Sequence, residues 1–210
     1  MQKPAEPEYV RHGQIGDPGD GESILAPFRE IGEPLGEHVG VQPFTDWQSA
    51  FDPLLTPGAR NYWKSHNFTE LADGLFETAL SHAENLPSPQ CEIFLAALGG
   101  GVARVAPEAT AYAHRDARFV MNVHARWEET AEDQRCIGWA RPFFEAAAPY
   151  GSAGAYINFM TDDETDRVKS AFGSNHARLA WIKRKYDPDN VFRINQNIVP
   201  AKPELGGMTD

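Results

Sequence analysis

Between Arg118 and Trp127 polar and apolar positions alternate almost strictly. Arg118, Val120, Asn122, His124 and Arg126 fall on one face, and Phe119, Met121, Val123, Ala125 and Trp127 on the other. A period of two predicts a β-strand with one packed and one polar face. Glu92 to Leu98 is a short apolar run bounded by Pro89 and by Gly99-Gly100-Gly101, and it predicts a buried strand. Ala155 to Met160 predicts another strand, with Tyr156, Asn158 and Met160 together and Ile157 and Phe159 opposite.

Helical spacing appears elsewhere. Leu71, Leu75, Phe76, Ala79, Leu80 and Ala83 recur at intervals of three and four, predicting a helix over residues 69–84 with Asn67 or Thr69 as its cap. Short helices are predicted over 23–35, stopped by Gly32 and Pro34, and over 142–148. A last helix should start at Ser174 and turn Leu179, Ile182 and Tyr186 inward. Its Lys183, Arg184 and Lys185 would complement the C-terminal dipole before Pro188 ends it. Residues 36–60 read as loop, weighted with Phe44, Trp47 and Phe51. The pattern predicts an α+β domain, a mainly antiparallel sheet covered by helices on one face. It spans residues 23–200, behind a Pro/Gly-rich flexible lead-in (1–22) and before a tail (201–210).

Composition narrows the chemistry. The chain has 210 residues with a formal charge of −11, a poor match for nucleic acid or anionic lipid, whose phosphates need clustered Lys and Arg. No apolar run approaches the ~20 residues of a membrane span, and no signal-peptide core opens the chain, so a cytoplasmic protein is expected. Two cysteines and scattered histidines without ligand spacing argue against a metal site. There is no G-x-S-x-G elbow, and Gly99-Gly100-Gly101 reads as a tight turn between strands, not a phosphate cradle. Tyr156 and Asn158 pair a phenol with an amide on one strand face; that is either a proton-handling site or two satisfied polar tips. His124 on its strand and Lys64 between aromatics have structural readings as well.

The stretch Lys183 to Ile198, KRKYDPDNVFRINQNI, resembles the terminal signature of the berberine-bridge-enzyme-like family of FAD-linked oxidases. Tyr62-Trp63-Lys64-Ser65, Gly99-Gly100-Gly101, Thr110 to Ala117, Gly138-Trp139-Ala140-Arg141 and Tyr156-Ile157-Asn158-Phe159 resemble bacterial members in the same order. The resemblance runs from about Gly16 to Pro200, with the berberine-like segment over about 155–200. It implies a protein that oxidises an alcohol, amine or similar C–H donor with FAD, with O₂ as acceptor. These residues resemble only the substrate-binding half of such an oxidase, so the resemblance implies a FAD-binding domain supplied by another chain, or self-association. The rival is a non-redox small-molecule-binding module of the same descent.

By the same resemblance, Asn122 falls where several members place a carboxylate or Gln that acts on substrate. An amide is no general base, and His124, facing the same way with a reference pKa of ~6.5, would substitute. Tyr156 is then the second catalytic candidate, and Lys64, Asn122 and Asn158 are substrate-binding candidates. Asn158, Asn195 and Asn197 are cofactor-binding candidates.

Overall fold

The computed structural model describes residues 16–30, 36–152 and 154–202. The chain divides into two compact bodies between Pro57 and Gly58. In the first, α1 (Pro18–Leu25) is capped by Asp17, whose carboxylate accepts from Gly19 N at 2.8 Å. It runs into a 3₁₀ turn, Ala26–Glu30, and α2 (Phe44–Ser49) follows further on. Arg29 binds Glu37 in a fork at 2.7–3.0 Å, and Trp47 meets Phe51 edge-on at 5.7 Å. Among the described residues helical structure therefore begins at Pro18, inside the expected lead-in. Residues 1–15, 31–35 and 203–210, which include most of that lead-in, the stop at Gly32 and Pro34 and most of the tail, lie outside the described residues.

The second body is built on three antiparallel strands, β1 (Arg60–Phe68), β2 (Glu92–Ala97) and β3 (Phe119–Trp127), in the order β1-β3-β2. Between them lie α3 (Asp73–Ala83) and the four-residue α4 (Gly101–Arg104); α5 (Asp133–Ala147) follows β3. The chain closes with 3₁₀ turns at Ile157–Phe159 and Asp162–Arg167, then α6 (Val168–Phe172) and α7 (His176–Tyr186).

The alternation in β3 is realised as read: Met121, Val123, Ala125 and Trp127 enter the core. There they meet α5, whose Cys136, Ala140, Phe143, Phe144 and Ala147 form one buried stripe at helical spacing. Leu75 of α3 completes the contact. Burial pushes the Cys136 thiol up to about 11 and raises that of Cys91, so both stay protonated. A smaller cluster joins Ala155, Met160, Val168 and Ala171.

Several sequence expectations are corrected. β1 was not expected, because its core face carries Tyr62, Lys64 and His66 and shows no apolar alternation. Asn67 lies in that strand and caps nothing; α3 starts after Ala72 with no side-chain cap. Residues 155–160 form no strand but a single 3₁₀ turn. The outer edge of β1, where such a strand would pair, is already engaged: Ser152 N donates to Asn67 O at 2.7 Å and an Arg167 N–H to Ser65 O at 3.2 Å. β2 is an exposed edge strand, with Phe94 and Leu95 42% and 38% exposed. Gly99-Gly100-Gly101 leads into α4 instead of turning straight into the next strand. The helix at 142–148 starts nine residues earlier, at Asp133, and carries Pro142 within it, which leaves the Gly138 carbonyl without its helical partner. α7 buries Leu179 and Ile182 in part, but Tyr186 points to solvent. Among the described residues no helix is long and apolar enough to cross a membrane.

Phe143 has no exposed surface and sits between the sheet and α5. Phe143→Ala is expected to destabilise the second body by about 3–5 kcal/mol through lost burial and the cavity left behind. Urea unfolding followed by Trp fluorescence measures this, and a loss below about 1 kcal/mol would contradict the assignment of the core.

Candidate functional site

The sheet has two chemically different faces, and register fixes which residue lies on each. Tyr62 pairs with Ala125, Lys64 with Val123 and His66 with Met121, so these three side chains lie on the helix-covered face. Asn61 pairs with Arg126, Trp63 with His124 and Ser65 with Asn122, so these lie on the other. Lys64 is thus separated by the thickness of the sheet from Asn122 and His124, with which the sequence reading grouped it.

On the helix-covered face at the β1 edge, the Asp163 carboxylate gathers four partners. Tyr62 Oη donates to Oδ2 at 2.7 Å and Arg141 approaches the same oxygen at 3.0 Å. Lys64 Nζ and Thr161 Oγ1 donate to Oδ1 at 3.2 and 2.5 Å. Desolvation works to raise the Asp163 pKa, but hydrogen bonds from Thr161, Tyr62 and Lys64 outweigh it and hold the carboxyl well below the usual range. Burial, against the Arg141 hydrogen bond, pushes the Tyr62 phenol up to about 12, so it remains a donor. Lys64 also lies 3.5 Å from buried Glu164, which binds Arg167 and completes a capping box with Thr161. The cluster fastens the segment after Met160 to β1 and α5, and a cleft lined by Asn61, Tyr62, Arg141 and Asp163 opens beside it.

On the opposite face, rings stack in series. Trp63 lies on His124 with centroids 3.7 Å apart and planes 13° from parallel. Phe159 stacks on Trp63 at 5.7 Å, and Tyr156 meets Phe159 edge-on at 5.0 Å. The Tyr156 and His124 side chains are therefore brought to one site through Phe159 and Trp63. His124 is 1% exposed, with Nδ1 3.2 Å from Glu92 and Nε2 3.0 Å from Asn61 Oδ1. Asn158 Nδ2 donates to Tyr156 Oη at 3.0 Å from an exposed position. Asn122 is buried and, with its amide oriented by its neighbours, donates to the carbonyls of Lys64 and Val123 at 3.1 and 3.3 Å. Beside it the Ser65 hydroxyl and both amide atoms of Asn67 are buried without a hydrogen-bond partner, which costs about 1–3 kcal/mol for each group left unmade.

Asn195 and Asn197 lie apart from the ring stack in sequence, in the segment after α7. Asn195 holds a left-handed backbone conformation at φ 62°, as does Asn190 at 53°, which Asn tolerates better than other residues with a Cβ. Asp187 turns the chain by accepting from Val191 N and Phe192 N at 2.8 and 3.0 Å. Asn197 N bonds Asn195 O, and the Asn197 Oδ1 is buried and unpaired. Among the described residues no cluster of His, Cys, Asp or Glu could hold a metal ion. Sequence reasoning missed Asn61, Glu92, Ser65, Asn67 and Asp163; only strand register and the fold of the 161–167 segment bring them in.

Residues 155–199 match the family described as berberine and berberine like. Two proteins of Bacillus subtilis (strain 168), both described as uncharacterized FAD-linked oxidoreductases, are similar. YgaK is 28% identical over 91% of this chain and 43% of its own length, and YvdP is 31% identical over 85% and 41%. The match is to the C-terminal part of berberine-bridge-enzyme-like FAD-linked oxidoreductases. The chain spans about two fifths of the length of the curated relatives it matches. Aclacinomycin oxidoreductase superposes with a TM-score of 0.70 at 24% identity over 87% of this chain and 42% of its own. Berberine bridge enzyme from Eschscholzia californica superposes with 0.61 at 22% over 68% and 33%. At these identities the structures show that the berberine-bridge-enzyme-like fold is shared.

Acid should undo the Asp163 fastening. A carboxyl whose folded pKa is depressed contributes stability above its unfolded value of ~3.9, lost as pH falls below that toward the folded value. His66, buried against Phe144 with its pKa lowered chiefly by desolvation, adds an earlier loss as pH falls below ~6.5. Unfolding midpoints should therefore drop in two stages, and Asp163→Asn should shrink the lower one, to which Asp133 and Asp187, also held below the usual range, contribute. Asp163→Asn should also cost about 1–2 kcal/mol at neutral pH, a value reduced for solvent because the carboxylate is 36% exposed. An unchanged acid profile in this variant would refute the role of Asp163.

Proposed function

We propose that these residues are the substrate-binding part of a FAD-dependent oxidoreductase that oxidises an alcohol, amine or similar C–H donor, with O₂ as acceptor and the FAD-binding domain lying outside them. The observation that carries this reading is the ring series Tyr156–Phe159–Trp63–His124 on the polar sheet face, in a fold shared with FAD-linked oxidoreductases. A flat aromatic wall with a few polar groups at its end suits a planar or cyclic substrate. Oxidation of an alcohol or amine carbon also needs a base for the O–H or N–H proton. Tyr156 would serve as its phenolate, which can take that proton to become the phenol, with its oxygen positioned by the Asn158 amide donor. His124, with both ring nitrogens engaged, acts through Trp63 and not as the first proton acceptor.

FAD, when bound, supplies the two-electron acceptor. Of the cofactor candidates, Asn158 presents an exposed amide and Asn197 an unpaired buried carbonyl oxygen, both suited to the donor and acceptor edge of a flavin ring. The glycine triplet opens only four-residue α4, too short to supply a dipole for a diphosphate, which is in keeping with a diphosphate site elsewhere. Trp181, Tyr186, Val191, Phe192, Ile194 and Val199 are 60–86% exposed in α7 and the segment after it, an apolar surface suited to docking on the FAD-binding domain. One observation favours the binding-module alternative: Asn122 spends its amide on backbone carbonyls and His124 is closed off, so β3 presents no open base.

Anaerobic mixing of the chain with a relative's FAD-binding domain and a panel of cyclic alcohols and amines tests this. Bleaching of the flavin absorbance is expected with at least one member. Tyr156→Phe should slow bleaching by about 10²–10⁴-fold with the domain still bound. Substrate binding without bleaching would establish the binding module instead.

A further inference from the structure

The Asp163 cluster fastens the chain after Met160, and a second contact grips the same segment at both ends. Gly154 and Gly173 bracket the residues that include Tyr156, Asn158 and Phe159, and both hold left-handed backbone, at φ 92° and 53°. The imidazole of His114 lies against both glycines. A Cβ at 154 would overlap its Cε1 and Nε2, and one at 173 would come within 3.4 Å of Cε1. His114 Nε2 donates to Ser170 O at 2.8 Å. One flat ring therefore touches the start and the end of the segment, where backbone conformation and close approach both favour glycine.

His114 itself stands on a loop tied to the sheet. Arg118 N donates to Phe68 O on β1 at 2.8 Å, and Arg115 braces the turn through Tyr112 O and Val102 O at 3.1 and 3.0 Å. The Arg115 guanidinium also lies 4.9 Å from the centre of the Tyr112 ring. Tyr112, two residues before His114, meets the Tyr156 ring edge-on at 6.3 Å. Burial raises the Tyr112 phenol above its ordinary value, so it stays neutral and sets no second anion beside a Tyr156 phenolate.

We infer that His114 is a positioning residue for Tyr156: seated between Gly154 and Gly173, it sets where the phenol stands at the end of the ring series. The inference rests on the proposed role of Tyr156 as proton acceptor. It asks no proton of His114, whose Nε2–H is spent on Ser170 O. All its contacts lie within the second body, so they hold whatever domain that body meets. Positioning matters because a displacement of about 1 Å at a reacting group can cost about 10²-fold in rate.

Two readouts test this. The first is the NMR ring signals of Tyr156 in the full chain, assigned by their loss in Tyr156→Phe. His114→Ala and Gly154→Ala should each move them toward the values of a solvated tyrosine, with circular dichroism unchanged. His114→Gln, a flat amide whose nitrogen reaches Ser170 O, should keep them in place. The second is anaerobic flavin bleaching with a relative's FAD-binding domain. His114→Ala and Gly154→Ala should lower the limiting rate about 10²-fold and leave the half-saturating substrate concentration nearly unchanged, and His114→Gln should restore most of the rate. Should His114→Ala misfold, His114→Asn takes its place with the same expectations, being flat but too short to reach Ser170 O. Unmoved Tyr156 signals, or a raised half-saturating concentration with an intact limiting rate, would overturn the inference. If the unaltered chain bleaches no flavin, the oxidase reading fails, and the Tyr156 signals alone decide whether His114 places that ring.

Discussion

The fold is held to its site by the Asp163 carboxylate. Tyr62 and Lys64 reach it from β1, Arg141 from α5 and Thr161 from the segment that follows Met160. No helix or strand ladder secures residues 155–164, whose only regular structure is two 3₁₀ turns. One acceptor with several donors does so instead, and charged hydrogen bonds of this kind are about twice as strong as neutral ones. Because the same segment bears Tyr156, Asn158 and Phe159, the ring stack on one side of the sheet depends on a carboxylate on the other.

The sheet mediates that dependence. β1 contributes Tyr62 and Lys64 to one face and Trp63 to the other, so the cluster and the stack share a backbone with side chains pointing in opposite directions. β3, paired on both sides, is the rigid centre, and buries Val123 and Ala125 against α5 while presenting His124 to Trp63. Arg167 belongs to both systems: it pairs with Glu164 and closes the β1 edge through Ser65 O. Among the described residues β2 carries the unpaired edge, and the unsatisfied Ser65 and Asn67 atoms mark where the polar face is least complete.

The proposed chemistry rests on unequal access. His124 has the more suitable side chain for proton transfer but is enclosed by Glu92, Asn61 and Trp63. Tyr156 is half-buried, with an exposed amide on its oxygen. In the proposed site, a buried imidazole between Glu92 and Asn61 would orient its neighbours, whereas a phenol at the rim would reach a bound molecule. This ordering of roles is a property of burial, and residue type alone would have reversed it.

Local pattern sufficed wherever one face is apolar and the other polar. The alternation of Phe119 to Trp127 and the helical spacing from Leu71 to Ala83 determine their elements by periodicity, and KRKYDPDNVFRINQNI carries its own turn chemistry through Asp187, Asn190 and Asn195. β1 escaped because Lys64 and His66 are buried by a carboxylate and by the Phe144 carbonyl, partners about 100 and 78 residues away, so no local rule marks them as inward. The turn at Ile157–Phe159 alternates like a strand, yet the β1 edge beside which it lies is already bonded to Ser152 and Arg167. Sequence by itself determined residue types, periodicities and turns; tertiary structure decided which polar side chains are paired, which face each one occupies and which edge stays open. The reason is that hydrogen bonding and desolvation are settled between residues distant along the chain, while periodicity is settled between neighbours.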